Sequence, residues 1–113
     1  MSEPLWSSAL AGALQRDRQR LLVAFVELRS ELRQTQPGDF AGGEEERIEV
    51  LEQTELDYVA LVAAGAEAAS LEASLAAADR QATQRESDLA AVVIEQMLEL
   101  VGALAARLPP HER

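Results

Sequence analysis

The chain has 113 residues, a formal net charge of −10, no cysteine and a single histidine, His111. That is the length of one domain, and at 48% hydrophobic residues it is too apolar for a disordered acidic chain. Without cysteine there is no disulfide framework, thiolate metal site or thiol nucleophile. One histidine near the end supports neither a catalytic pair nor an imidazole metal site. No enzyme, cofactor or small-molecule substrate is expected.

All ten basic residues are arginine, and they are unevenly placed: residues 1–36 net +1, residues 37–82 net −9 and residues 83–113 net −2. The one basic cluster, Arg16-Asp17-Arg18-Gln19-Arg20, is interrupted by an acid. Such a chain suits neither phosphate backbones nor anionic lipid, so no nucleic-acid or membrane partner is expected. The first residues, Met-Ser-Glu-Pro-Leu-Trp, lack a basic segment followed by an apolar run. They read as intracellular, with the cytoplasm as default and the nucleus open.

Ala, Leu, Glu and Arg dominate, and these residues favour helix nearly everywhere. Helix 1 is predicted over about residues 4–35, with Pro4 tolerated in its first turn. Residues 14, 21, 25, 28 and 32 (Leu14, Leu21, Phe25, Leu28, Leu32) form one narrow apolar stripe, into which Arg18 falls and on whose edge Arg29 lies. Trp6 is expected to cover the bundle end. The loop 36–43 holds Pro37 and three of the six glycines. It is short enough to make helices 1 and 2 antiparallel neighbours.

Helix 2 is predicted over about 44–79, beginning at Glu44-Glu45-Glu46, where the helix dipole favours negative charge. Its first half turns Ile48, Leu51, Tyr58, Val59 and Val62 one way. Its second half turns Leu61, Ala64, Ala68, Leu71 and Leu75 another, with Gly65 near the changeover. Two apolar directions imply two neighbours: helix 1 near its start and something else near its end. Glu44, Glu45, Glu46, Glu49 and Glu52 form an acidic rim that either solubilises the chain or steers a basic partner. Glu55 stands in the seam, within reach of Arg29. The trio Arg18, Arg29 and Glu55 is either an ordinary ion-paired edge or a device that fixes register.

A polar stretch and the capping-box pattern Thr83-x-x-Glu86 predict a turn near 79–84, although one continuous helix over 44–108 is the alternative. Helix 3, about 83–108, ends at Pro109-Pro110, and residues 109–113 form a tail. Its large apolar residues spread over about 240° of the helical wheel, about twice what an outer helix needs. Leu89, Val92, Val93, Ile94, Met97, Leu98, Leu100, Val101 and Leu104 are therefore expected to face a protein partner or a second copy, and glutamates at 93 and 97 to break that assembly. The run is long enough to span a bilayer, but Glu95 and Glu99 near its middle argue against it.

The expected fold is all-α, a single domain over 1–113: an antiparallel three-helix bundle, or a coiled-coil-like hairpin plus a third apolar helix, oligomeric in solution. The expected function is a protein-interaction subunit, a structural or adaptor component of a larger helical complex. One alternative is a small acidic chaperone that masks an amphipathic helix of a secreted or unassembled partner. The other is a self-sufficient homodimer.

Overall fold

The computed structural model describes residues 4–77 and 83–110, with side chains from Ala9 onward. The side chain of Trp6, most of the expected turn at 79–84 and His111 lie outside the described residues. Three helices account for the described fold: α1 (Pro4–Arg33), α2 (Gly43–Ala77) and α3 (Gln84–Arg107). A single 3-10 turn, Pro37–Asp39, sits between the first two. α3 packs on both α1 and α2, so the single helix over 44–108 does not occur.

Local chemistry sets the ends. The backbone N–H of Gln36 donates to Asp39 Oδ2 at 2.7 Å, closing the 3-10 turn, and Phe40 folds under it at 7% exposure. Gly43 takes a φ of +69°, a left-handed geometry that side chains resist. A Cβ on Gly42 would lie 2.9 Å from that of Glu46, whose carboxylate accepts from the Gly42 N–H. α3 opens on the capping box: Glu86 N–H donates to Thr83 Oγ1 at 3.2 Å, and Thr83 N–H donates to Glu86 Oε2 at 2.8 Å.

The core is a line of large side chains from α1 and α3 laid on a mixed stripe of alanines and leucines from α2. Leu14, Phe25 and Leu32 meet Val93, Met97 and Leu104 over Leu61, Ala64, Ala68 and Leu75. Phe25 stacks on Tyr58 with ring centroids 6.0 Å apart, and the Arg29 guanidinium lies 4.4 Å above the Tyr58 ring. The molecule is a rod of 62 × 27 × 17 Å with a radius of gyration of 17.7 Å, where a compact chain of this length gives about 13 Å. Its accessible surface is 7150 Å², against roughly 6,100 Å² for a compact chain of this mass. A thin rod leaves apolar surface outside.

Two expectations change here. α2 does not switch neighbours midway: one buried stripe, from Thr54 and Asp57 through Leu61, Gly65 and Ala68 to Leu75, serves both α1 and α3 along its length. The first-half direction is split: Leu51 and Tyr58 pack against the core, while Ile48, Val59 and Val62 are exposed. The broad arc of α3 also has an internal explanation. A helix seated in the groove of two others is covered from two sides, so the width expected of an outer helix does not apply. Val93, Met97 and Leu104 are 1%, 0% and 0% exposed, and they are core of this chain rather than free surface.

Val93→Glu together with Met97→Glu is therefore expected to unfold the monomer. Each buried unpaired charge costs on the order of 3 kcal/mol or more, read as loss of a cooperative thermal transition by circular dichroism. A Cβ on Gly65 would meet Leu22 Cδ2 at 3.6 Å and Met97 Cε at 3.8 Å, which is ordinary contact. Gly65→Ala should raise stability by about 0.5–1 kcal/mol through lower chain entropy, measured by urea melts. Unchanged or lower stability would mean the helices meet more tightly there.

Candidate functional site

Outside the core, the large apolar side chains that α3 leaves exposed are few. Leu89, Val92 and Leu98 are 43%, 55% and 57% exposed. Ile94, Leu100 and Val101 are partly buried against the core. Leu98 and Ile94 stand on the α1 side, where they form a groove with α1. One stretch of about 350 Å³ is lined by Leu10, Ala13, Leu14, Ala90, Ala91 and Asp17, among others. A second of about 410 Å³ is lined by Arg20, Leu21 and Ala24. Both stretches share Asp17, Ile94 and Leu98, so they are one trough running along the parallel pair α1 and α3. Alanines at 13, 24, 90 and 91 keep it open.

The seam residues separate into two ion-paired groups on the α1–α2 side. Arg29 grips Glu55 with two bonds, Nε to Oε2 at 2.8 Å and Nη2 to Oε1 at 2.7 Å, and Arg33 adds a longer contact of 3.4 Å. Arg18 reaches a different acid, Glu72, at 3.3 Å, while its own Nε is buried without a partner. Antiparallel pairing about residue 40 alone would set residue 29 opposite residue 51; with the 3-10 turn Pro37–Asp39 and Phe40 between the helices, Arg29 instead meets Glu55, four residues further on.

The acidic rim is less uniform than its sequence. Glu44 pairs with Arg47 at 3.6 Å, and Glu46 caps the Gly42 N–H. Glu45, Glu49 and Glu52 stand exposed on α2 and make no ion pair among the described residues. Asp57, further along the same acidic stretch, is buried. It accepts from Arg107 of α3 and from Gln53 at 3.0 Å, tying the end of α3 to the middle of α2. Its place four residues before Leu61 on the core stripe was the signal for this.

Among the described residues no group of three or more metal-ligating side chains converges. α2 and α3 are each long and apolar enough to cross a membrane by length and composition, while also forming the bundle described. No family model, curated protein or solved structure matches the chain.

The Arg29 hydrogen bonds hold the Glu55 carboxyl below its ordinary value of 4.5, and the same bonds raise the Arg29 guanidinium. A carboxyl depressed on folding stabilises fully above its unfolded value, and that contribution is lost as pH falls through the folded one. Glu55→Gln should therefore lower the melting temperature at pH 7 and shrink the loss of stability below about pH 4.5. Matched thermal melts of the two proteins from pH 7 to pH 3 would show it; parallel curves would mean that the pair is inert.

Proposed function

We propose that this chain is a non-enzymatic helical protein-interaction subunit that receives an amphipathic helix in the α1–α3 trough. The observation that carries the reading is the trough itself. Leu10, Leu14, Leu21, Ile94 and Leu98 supply an apolar floor and wall, and Leu98 is 57% exposed. Two parallel helices leave a channel into which the apolar stripe of a further helix fits. Asp17 and Glu95 line it, and Asp17 stands 4.0 Å from Arg20, its one lining cation. A partner with basic flanks suits that rim.

In a structural or adaptor role the partner helix stays in the finished assembly. The shallowness of the trough also supports a second reading, a chaperone that grips a partner's amphipathic helix and releases it. Both belong to an intracellular, cytoplasmic setting. Protein is favoured over lipid because Glu95 and Glu99 stand exposed along α3, where a hydrocarbon environment leaves charge uncompensated.

Two helical peptides with the same apolar stripe, one carrying arginine and lysine on its polar face and one carrying glutamate, test the reading by fluorescence anisotropy. The basic peptide should bind with a Kd on the order of micromolar, and Leu98→Glu should weaken it at least about tenfold without moving the thermal transition. Failure of both peptides to bind, or equal binding by Leu98→Glu, would sink the proposal.

A further inference from the structure

α2 carries two apolar directions, and the fold covers one of them fully and the other only at Leu51 and Tyr58. The uncovered part holds Ile48, Val59 and Val62, which are 44%, 67% and 47% exposed. On α1, Val23 and Val26 are 57% and 48% exposed. Leu22 packs at the level of Gly65 and Arg29 at the level of Glu55, so Val26, between them, stands level with residues 58–61 of the antiparallel helix. At 100° per residue, Val26 and Val62 both lie on the flank of the α1–α2 pair turned away from α3.

The charge on this flank is unlike that of the rest of the molecule. Most of its carboxylates are paired: Glu55 with Arg29 and Arg33, Glu72 with Arg18, and Glu44 with Arg47. Glu52, four residues after Ile48 and seven before Val59, is exposed on the same arc and adds one charge without an ion pair among the described residues. Four arginines against four glutamates leave the flank close to neutral in a chain of net charge −10. The acids Glu45 and Glu49 stand further round α2, and Glu95 and Glu99 are exposed on α3.

We infer that this valine-lined face is where two copies of the chain associate, as an isologous dimer in which α1 and α2 of each copy form the shared layer. A basic partner is drawn to the more acidic sides and finds little unpaired charge here. A second copy brings the same nearly neutral, apolar surface, so two molecules of charge −10 meet through the least charged side of each. Valine suits such a contact because its β-branched side chain has little rotamer freedom to lose. From Ile48 to Ala69 the face runs about 30 Å along α2, and two helices are about 20 Å across. That gives roughly 600 Å² per copy, at the lower limit of stable interfaces. The α1–α3 trough stays open in this arrangement, so the inference stands apart from the helix-docking reading.

Light scattering after size exclusion, over a concentration series, reads the mass of the full chain. The wild type should have the mass of a dimer, and Val62→Glu and Val26→Glu the mass of a monomer with unchanged helicity. Because the chain has no cysteine, single substitutions report the face independently. At least one of Val26→Cys, Val59→Cys and Val62→Cys should form a disulfide-linked dimer in air about tenfold or more faster than Leu98→Cys. A wild type that remains monomeric up to ~1 mM would overturn the inference. So would a dimer that survives both glutamate variants, a dimer broken by Leu98→Glu instead, or valine-face cysteines that link no faster than Leu98→Cys.

Discussion

Leu22 of α1 and Met97 of α3 both come to rest against Gly65, and Ala64 and Ala68 continue the same low ridge along α2. Small residues contribute little burial of their own. Their effect is geometric: they let two other helices approach one side of α2 closely enough for large side chains to meet above it. Phe25, Leu32, Met97 and Leu104 are completely buried, with Leu61 and Leu75 of α2 closing the seam on either side of this low ridge. The elongated outline follows, since three helices sharing one narrow seam cannot become globular. The apolar residues that do not reach the seam are left on the rod's flanks.

Helix positions were legible because their signals are local. Pro37 with the glycines that follow it stops α1, and Thr83 with Glu86 opens α3 through a capping box whose bonds lie within one turn. The pairing of Arg29 with Glu55 was within reach of helical geometry alone, although the register needed the extra turn that Pro37–Asp39 and Phe40 introduce. The division of α3 into core and surface was not legible. A helical wheel gives the width of an apolar arc and not the number of helices that cover it, so Val93 and Met97 looked like free surface beside Leu98. Asp57 was hidden for a related reason. An acid among acids reads as solvated until Arg107, fifty residues away, is seen to reach it.

The ion pairs matter here less for stability than for where they leave the charge. An exposed pair such as Arg33 with Glu55 contributes little to folding. The chain has only ten basic residues against twenty acidic ones, however, and Arg18, Arg29, Arg33 and Arg47 are all committed to the α1–α2 side. Most acids on that side are consequently neutralised, while those further round α2 and along α3 are not. The net charge of −10 is thus concentrated on part of the surface. A molecule so divided has one kind of surface that attracts basic partners through long-range, salt-sensitive forces. It has another where contact rests on apolar burial and responds weakly to salt. The trough borders the first and the valine face makes up the second, so ionic strength acts on the two surfaces separately.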